Sequence, residues 1–403
     1  MMNKKIELLA PAGDLESAEL ALYYGADAIY AGGKIGSLRA ESSALSNENL
    51  RKVVALCKDS NKKFYLAMNM IPHNKDLNLI GEFLEKIRDL NIDAFIVSDF
   101  GVKKIIEKIF KNSIFHLSTQ ANITNYESAS FYKSQNFRRI ILARELSHSE
   151  IKEFIKKTDI EYEIFVHGAI CLSYSGRCYL SSYLSNRNGN RGECAQPCRW
   201  KYFLAEEKND EIFPVFEDEK GAYILNSKDL CLLSSMLEII KLGITSIKIE
   251  GRMKSAYYIA SVVRAYKNAI LEYEKVGKIN TEYWINELKK TSHRGFTNGF
   301  FIDDNTETLE KTYKSTYINN YDFIAKVLSY DKDKNLALLE SRNKFSLGDI
   351  VEVFGRNDFQ KITIEKIFDE EKKSLEFSNT PMKKIYINMP FHVEKNMLIR
   401  KKK

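Results

Sequence analysis

Short runs of β-branched and apolar residues alternate with longer amphipathic stretches over the first two thirds of the chain. This alternation is typical of βα units that build a parallel sheet. The runs predict eight strands, at Ile6–Ala10, Ala28–Ala31, Lys63–Met70, Ala94–Ser98, Phe115–Thr119, Arg139–Ala143, Glu161–Val166 and Ser246–Ile249. Eight such units predict a TIM-like (β/α)8 barrel over residues 1–280, with an open doubly wound sheet as the alternative.

Residues that favour helix N-caps stand before several of the amphipathic stretches. The stretches predict helices at Leu15–Tyr24, Glu48–Asp59, His148–Lys157, Lys228–Lys241 and Ser255–Glu274. Ser227 would cap the fourth of these helices, and Cys231 would lie on it. Gly25 and Gly243 occupy positions at which a helix commonly ends in glycine.

From about Tyr321 the pattern changes to short alternating strands that are separated by polar turns. The predicted strands are Asp322–Ser329, Leu336–Ser341, Asp349–Phe354, Gln360–Ile367 and Lys384–Val393. This pattern predicts a small antiparallel β-barrel domain over residues 319–403, joined to the first domain by a connecting segment at 281–318. The basic end of the chain, Arg400–Lys403, is interpreted as a frayed solubilising tail.

One connection in the predicted barrel is unusually long. About sixty residues separate the seventh strand from the next helix, and loops of this length are usually functional or disordered. Four of the six cysteines lie in this insertion, residues 169–226, at Cys171, Cys178, Cys194 and Cys198. Because the active sites of such barrels lie at the carboxyl ends of the strands, the insertion is expected at the mouth of the barrel.

The composition predicts a soluble, cytoplasmic protein without membrane association. With 403 residues, of which 44% are hydrophobic, the chain can bury a large core. Its amino-terminal apolar stretch is too short for a secretory signal, and no apolar run reaches the roughly 18 residues of a membrane span. In a reducing cytosol, clustered cysteines indicate metal binding or catalysis rather than disulfides.

The charge distribution is informative around the cysteines. The formal net charge of +7 permits an anionic partner without requiring one. Between Cys171 and Lys201 the only acidic residue is Glu193, whereas the basic residues are Arg177, Arg187, Arg191, Arg199 and Lys201. Each arginine alone is well explained as a solvated loop residue, but together they predict a basic surface beside the cysteines.

The spacing of the four cysteines leaves their role open. Four thiolates can hold either a tetrahedral zinc ion or an iron–sulfur cluster. The gaps of six, fifteen and three residues are irregular, whereas zinc sites favour paired Cys-x2-Cys ligands. Spacing alone therefore leaves iron–sulfur, zinc and unligated cysteines as alternatives. Cys231 is a further candidate for the fourth ligand or a core residue, and Cys57 is expected to pack in its helix.

Several longer motifs surround these cysteines. They are Glu163–Cys171, Gly176–Ser181, Asn190–Trp200, Asn226–Leu230, Lys248–Ser255 and Ser292–Thr297, together with Leu9–Gly13 near the start. In these motifs the chain resembles peptidase family U32, the collagenase-like peptidases, over nearly its whole length. Within the family it is most similar to the tRNA hydroxylation branch, and other relatives act on ribosomal RNA cytidine or in oxygen-independent ubiquinone synthesis.

The resemblance implies a function and a cofactor. It implies a tRNA-modifying enzyme that is required for 5-hydroxyuridine at the wobble position (U34), with prephenate as oxygen donor. It further implies a [4Fe-4S] cluster on Cys171, Cys178 and Cys194, with Cys198 preferred over Cys231 as the fourth ligand. The anticodon region of tRNA would be the partner, and the resemblance leaves open whether a paralogous subunit acts beside this chain.

Candidate site residues follow from the predicted barrel ends and from the donor. A donor with two carboxylates calls for fixed cations. The predicted catalytic residues are His167, Glu250, Arg252 and Lys254, and the predicted substrate-binding residues are Arg39, Arg177, Arg191 and Arg199. His167 is a candidate for proton transfer near neutral pH, with a satisfied core histidine as the equal alternative. For Arg39, an ion pair with Glu41 is the alternative.

Two other functions remain as hypotheses. A peptidase needs an activated nucleophile or a metal-bound water, and the sequence contains neither a His-Glu-x-x-His nor a Gly-x-Ser-x-Gly motif. A pair of Cys171 and His167 is conceivable, but neighbouring thiols would capture metal or oxidise. The third hypothesis is a non-catalytic RNA-binding protein with a structural cluster.

Overall fold

The computed structural model describes residues 5–38, 43–171, 173–200, 217–218, 221–222, 227–302 and 317–403. Arg39, one of the predicted substrate-binding residues, lies outside the described residues.

Nine of the first eleven strands belong to the barrel sheet, whereas the pair Glu217–Asp218 and Gly221–Ala222 forms a separate two-stranded sheet. The eleven strands are β1 (Glu7–Pro11), β2 (Ala28–Gly32), β3 (Lys63–Met68), β4 (Ala94–Val97), β5 (Phe115–Leu117), β6 (Phe137–Ile141), β7 (Glu161–Ala169), β8 (Glu217–Asp218), β9 (Gly221–Ala222), β10 (Asp229–Cys231) and β11 (Ser246–Ile249). Strands β1 to β7 pair in parallel in chain order, and β11 pairs in parallel with both β7 and β1. The sheet therefore closes into the predicted eight-stranded barrel, and the open-sheet alternative is wrong.

The described helices lie between the barrel strands, in the insertion and in the connecting segment. They are α1 (Leu15–Tyr23), α2 (Asn47–Asp59), α3 (Asn74–Lys86), α4 (Phe100–Ile109), α5 (Tyr126–Ser134), α6 (His148–Lys157), α7 (Leu180–Ser185), α8 (Met236–Leu242), α9 (Ala256–Val276) and α10 (Thr281–Leu288). Helix α6 begins as predicted, because Ser147 and Glu150 form a capping box. Gly25 and Gly243 adopt the positive φ angles that a helix end in glycine requires.

The predicted helix at Lys228–Lys241 is wrong in its first half. Asp229–Cys231 form β10, which pairs antiparallel with the end of β7, and α8 begins only at Met236. The hydroxyl of Ser227, which was expected to cap a helix, instead donates to the carbonyl of Ile170 at 2.9 Å. The Ser227 side chain therefore joins the two ends of the insertion, and the residues after it form a strand of the barrel sheet.

The segment predicted as a connection, residues 281–318, also adds to the barrel. It contains α10 and the short strand β12 (Phe296–Thr297), which pairs in parallel with β10. A buried ion pair between Arg294 and Asp229 fixes this pairing. The sheet thus extends beyond the closed barrel through β10 and β12.

The rest of the chain is antiparallel, as predicted for the C-terminal domain. Its strands are β13 (Tyr321–Asp331), β14 (Leu336–Ser341), β15 (Phe345–Ser346), β16 (Ile350–Phe354), β17 (Phe359–Thr363), β18 (Ile367–Phe368), β19 (Ser374–Leu375), β20 (Phe377–Ser378), β21 (Lys384–Asn388) and β22 (Leu398–Lys402). Eight of them form one sheet, in the order β17-β16-β22-β13-β14-β21-β18-β19. This sheet encloses a hydrophobic core of its own.

The interpretation of Arg400–Lys403 as a frayed tail is wrong. Strand β22 lies inside the sheet, between β13 and β16, and Arg400 is 1% exposed. Its guanidinium contacts Glu287 of α10 at 2.7 Å and Glu352 of β16 at 2.8 Å. The two buried carboxylates, which are distant in sequence, explain why a basic segment forms a central strand.

Within the described residues, no helix is long and apolar enough to cross a membrane.

Candidate active site

A cavity lies at the carboxyl ends of the barrel strands, between the strand ends and the insertion. Both parts of the chain contribute to its lining. The lining residues with thiol or charged side chains are Cys171, Cys178, Cys194, Cys198, Arg144, Glu145, Arg199, Lys248, Glu250 and Arg252. The cavity is at the end of the barrel where the loops converge and where such folds carry out their chemistry.

The start of the insertion is fixed to the loops that follow β5 and β6. Ser175 donates to the carboxylate of Glu145 from its backbone N at 2.9 Å and from its Oγ at 3.1 Å. Gly176 has a φ of +74°, and a β-carbon at this position would lie 2.1 Å from the carbonyl oxygen of Gln120. Only glycine fits this approach of two backbones, so the motif around Cys178 is held against the mouth.

The second half of the insertion is fixed on the side of β3 and α3. The backbone N of Ile71 donates to the carbonyl of Asn190 at 2.9 Å. The guanidinium of Arg191 lies 2.6 Å from the carboxylate of Asp76, and both side chains are largely buried. The insertion therefore contacts loops around the mouth on several sides, which gives the cavity a defined wall.

The four insertion cysteines border this one cavity. Cys171 is exposed and the other three are half-buried. Burial raises the pKa of the Cys198 thiol, the Arg199 guanidinium opposes this, and the three other thiols raise the pKa further. The Cys198 thiol is thus within electrostatic range of the other three thiols. Four thiols at one cavity have the donor chemistry that a four-thiolate iron–sulfur cluster requires. In the part of the chain that the structure describes, no three His, Cys, Asp or Glu side chains are grouped tightly enough to hold a single metal ion. The four thiols therefore border the cavity without forming a closed ligand set, and a shared cluster would have to draw them together.

Cys231, the alternative fourth ligand, lies apart from these thiols. It pairs with His167 across β10 and β7, it is buried, and it does not line the cavity. Its sulfur lies 3.9 Å from the hydroxyl of Tyr266, and burial raises the pKa of its thiol to about 11. The geometry favours Cys198 over Cys231 as the companion of the other three thiols.

The cavity is richer in cations than in carboxylates. Its basic lining residues are Arg144, Arg199, Lys248 and Arg252, and its acidic ones are Glu145 and Glu250. Lysine and arginine side chains held in place by the protein favour anionic ligands, and guanidinium groups suit carboxylates in particular.

Lys248 and Arg144 are held by neighbouring side chains. The Nζ of Lys248 lies 3.1 Å from Glu163 and 4.2 Å from the ring centroid of Tyr30. Burial lowers the pKa of Lys248, and the Glu163 carboxylate opposes that shift. The guanidinium of Arg144 lies 3.8 Å from the ring centroid of Phe165 and donates to the carbonyl of Ala169, two residues before Cys171.

Comparison with known proteins gives the family. Residues 13–311 match peptidase family U32, and residues 319–400 match the peptidase family U32 C-terminal domain. The chain belongs to peptidase family U32. The resemblance seen in the sequence motifs is therefore confirmed.

Three relatives of this U32 chain illustrate the range of names in the family. The tRNA hydroxylation protein P1 of Bacillus subtilis is 36% identical over 409 residues, which span 100% of this chain and 96% of that protein. The tRNA hydroxylation protein P of Haemophilus influenzae is 33% identical over 97% of this chain and 95% of that protein. A collagenase of Porphyromonas gingivalis is 30% identical over 87% of this chain and 86% of that protein.

Two of the predicted catalytic residues of the U32 chain line the cavity. The carboxylate of Glu250 lies 3.7 Å from Arg144 and accepts a long hydrogen bond from the Tyr30 hydroxyl at 3.4 Å. Arg252 donates to the carbonyl of Leu38 and is buried. Both follow β11, as the sequence predicted, so the eighth strand supplies a carboxylate and a guanidinium to the same cavity.

Lys254, predicted beside them, is not part of the cavity lining. Its Nζ lies 5.0 Å from the ring centroid of Tyr258 and 4.4 Å from that of Tyr317. The turn after Arg252 directs this side chain to another part of the surface. The structure therefore places Arg252 in the lining of the cavity and Lys254 outside it.

The predicted substrate-binding arginines separate into three groups. Arg199 lines the cavity beside Cys198. Arg177 is exposed and lies outside the lining, and Arg191 is engaged with Asp76. Arg191 thus holds the insertion in place rather than reaching the cavity.

His167 is a buried residue behind the cavity. Its side chain packs against the rings of Tyr258, Tyr266 and Phe296, and it does not line the cavity. Burial lowers the pKa of His167 to about 3, against the opposing effect of the Asp229 carboxylate. A histidine with this pKa is neutral at pH 7, so the structure favours a buried core residue over proton transfer near neutral pH. The histidine is not fully satisfied, because its Nε2 has no hydrogen-bond partner among the described residues.

Sequence reasoning missed Arg144 and Lys248 as cavity residues. Arg144 directly follows the predicted sixth strand, and Lys248 interrupts the apolar run of the eighth strand. A charged residue in a buried strand requires a partner. That signal was present for Lys248, but its partner Glu163 lies 85 positions away in the chain.

Proposed function

We propose that this chain is a tRNA-modifying enzyme, a uridine hydroxylase that is required for 5-hydroxyuridine at the wobble position (U34). Prephenate is its oxygen donor, and a [4Fe-4S] cluster is its cofactor. The observation that carries the proposal is the cavity, which all four insertion cysteines border together with a surplus of cations. Similarity to tRNA hydroxylation proteins over the full length of the chain supports the same activity.

The residues at the mouth have separate roles in this proposal. Cys171, Cys178, Cys194 and Cys198 would hold the cluster. When bound, the cluster would supply iron that activates or positions the oxygen donor. Arg144 and Arg252 lie at the same cavity and would bind the carboxylates of the donor, because guanidinium groups form paired hydrogen bonds with carboxylates.

The remaining elements of the proposal concern tRNA and the cell. The basic part of the insertion, from Cys171 to Lys201, would neutralise phosphates of the anticodon region, which makes binding dependent on salt. The enzyme would work in the cytoplasm, where tRNA is found, either alone or beside a paralogous subunit.

Nucleoside mass spectrometry of tRNA tests the activity. A strain that lacks this gene and any paralogue is expected to contain no 5-hydroxyuridine or derivatives of it at position 34. Expression of the wild-type chain in that strain is expected to restore them. Persistence of the modified nucleoside in the deletion strain would falsify the proposal.

A peptidase is the second candidate, since one relative over most of this chain is named a collagenase. The competing expectation is cleavage of gelatin or a collagen-derived peptide by the purified chain. If such cleavage occurs and the substitution Cys171→Ser abolishes it, the peptidase function is correct and Cys171 acts as its nucleophile.

A further inference from the structure

Helix α7 in the insertion carries its large rings on the side that faces solvent. Its inward residue Ser181 is 2% exposed and accepts a hydrogen bond from the backbone N of Ala195 at 3.1 Å. Tyr179, which precedes the helix, is 70% exposed, and Tyr183 is 78% exposed. A surface helix normally buries its apolar side and exposes its polar side. Here small hydroxyl side chains face the protein and aromatic rings face solvent, so packing does not explain the rings.

The exposed rings are close together along the backbone. The backbone N of Tyr183 donates to the carbonyl of Tyr179 at 3.0 Å, so the two residues are one helical turn apart and lie on the same side. Trp200 follows the turn Pro197–Arg199, which packs against α7, and is also exposed. Tyr174 is exposed four residues before the Cys178 ligand position. We call Tyr174, Tyr179, Tyr183 and Trp200 the aromatic platform.

The platform adjoins the cavity. Tyr174 itself lines the cavity, and so do Cys178 and Leu180, on either side of Tyr179. Arg199, next to Trp200, lines it as well. A base that enters the cavity would therefore bring its neighbouring nucleotides onto the platform.

The charged residues beside the aromatic platform favour a polyanion as its ligand. Arg177 is exposed and lies between Tyr174 and Tyr179 in the chain. Between Cys171 and Lys201 the one acid is Glu193, and its carboxylate accepts a hydrogen bond from the backbone N of Asn188 at 3.2 Å. Aromatic rings interleaved with arginine suit unpaired RNA, whose bases stack on the rings while the phosphates meet the cations.

We propose that the aromatic platform stacks the unpaired bases that flank the target base in an RNA loop. This inference rests on the proposed function, because it assumes that the substrate of the cavity is RNA. It adds a requirement for single-stranded nucleotides on both sides of the target, since a duplex hides the faces of its bases.

Binding of two RNAs to the anaerobically purified protein tests the proposal. The probes are a labelled hairpin with an unpaired loop and a fully paired duplex that contains the same loop sequence, both measured by fluorescence anisotropy. Tyr183→Leu is expected to raise the Kd for the hairpin by about fivefold to a hundredfold, the effect of losing one base stack. The Kd for the duplex is expected to stay unchanged.

Two control variants and one further test variant accompany Tyr183→Leu. Tyr183→Phe keeps the ring and is expected to bind the hairpin as wild type. Phe131→Leu removes an exposed ring from α5, outside the insertion, and is expected to have no effect. Arg177→Gln is expected to lower the slope of log Kd against log salt by about 0.7, as for one lost phosphate contact. The thermal midpoints of all variants are compared, so that loss of folding is recognised.

Two results would overturn the platform. One is an unchanged hairpin Kd for a folded Tyr183→Leu protein. The other is a change in oligomeric state of that variant without a change in RNA binding, which would assign the rings to a protein contact. If either result is found and cells that express Tyr183→Leu still form 5-hydroxyuridine, the platform is wrong and the proposed function stands. If hairpin binding depends on Tyr183 but the deletion strain keeps its 5-hydroxyuridine, the proposed function fails and the platform stands.

Discussion

Single charged residues inside the barrel hold one another in place. Glu163 is fully buried, with Lys248 and Arg139 each 3.1 Å from its carboxylate. Arg139 in turn contacts Glu7 at 2.6 Å. A buried charge is tolerated only when it is paired. This chain of ion pairs therefore fixes Lys248 at the cavity, and the Glu163 carboxylate favours the charged form of Lys248 by opposing the effect of burial on its pKa.

His167 provides a prediction about pH at this scale. Its pKa is about 3 in the folded protein and 6.5 in a model peptide. Because the folded value is the lower one, the unfolded chain binds the proton first as pH falls. The neutral histidine therefore contributes stability above pH 6.5, and this contribution is lost as pH falls towards 3. Between pH 7.5 and pH 5, wild type is expected to lose roughly 2 kcal/mol more unfolding free energy than His167→Asn.

Urea unfolding at several pH values measures this difference. Equal pH dependence in wild type and variant would show that His167 does not titrate as a buried residue. A pH–rate profile in which His167→Asn removes a step near pH 6.5 would instead return His167 to the role of a proton-transfer group.

Individual site residues differ in how far the sequence reveals them. The four cysteines are visible because a cluster of thiols without an evident disulfide framework indicates metal binding or catalysis. Arg191 looked similar to the other arginines of the insertion, yet its guanidinium is engaged by Asp76 of α3. That contact joins residues 115 positions apart, so local pattern could not separate Arg191 from Arg199.

At the scale of secondary structure, the barrel strands were predictable because each contains a short run rich in apolar and β-branched residues. Each of the eight agrees with a predicted strand to within three residues at either end. Strand β10 was not predictable, because its pairing depends on the end of β7 and on β12, both of which are distant in sequence. Strand β22 was missed for a similar reason, since its arginine is neutralised by Glu287 and Glu352. Elements whose stability comes from distant charges have no local signature.

Arg400 gives the prediction that belongs to this scale. The substitution Arg400→Ala removes a buried cation that contacts Glu287 and Glu352. Breaking a buried ion pair from one side is expected to lower the free energy of unfolding by about 3 to 5 kcal/mol. Lys402→Ala, which changes an exposed residue at the end of the same strand, is the matched control and is expected to change it by less than about 0.5 kcal/mol.

Chemical denaturation followed by circular dichroism measures both variants. If Arg400→Ala and Lys402→Ala unfold at the same denaturant concentration, β22 is not the central strand that the structure shows.

At the scale of the whole molecule, the C-terminal domain is attached to the helices of the barrel. The hydroxyl of Tyr24 in α1's C-terminal turn donates to the carbonyl of Phe354 at 2.9 Å. The guanidinium of Arg264 in α9 donates to the carbonyl of Gly355 at the same distance. The two domains therefore pack through buried hydrogen bonds, whereas the cysteines and the cations of the cavity belong to the barrel and its insertion.

The central proposal is that the four insertion cysteines hold the cluster of a tRNA hydroxylase. The most direct test expresses Cys198→Ser and Cys231→Ser separately in the deletion strain, with both iron in the purified protein and 5-hydroxyuridine in tRNA as readouts. Cys198→Ser is expected to lose iron and to leave the tRNA unmodified, because its thiol borders the cavity. Cys231→Ser is expected to retain both, because its thiol is buried away from the cavity. Full iron content and normal 5-hydroxyuridine with Cys198→Ser, or loss of both with Cys231→Ser alone, would contradict the account.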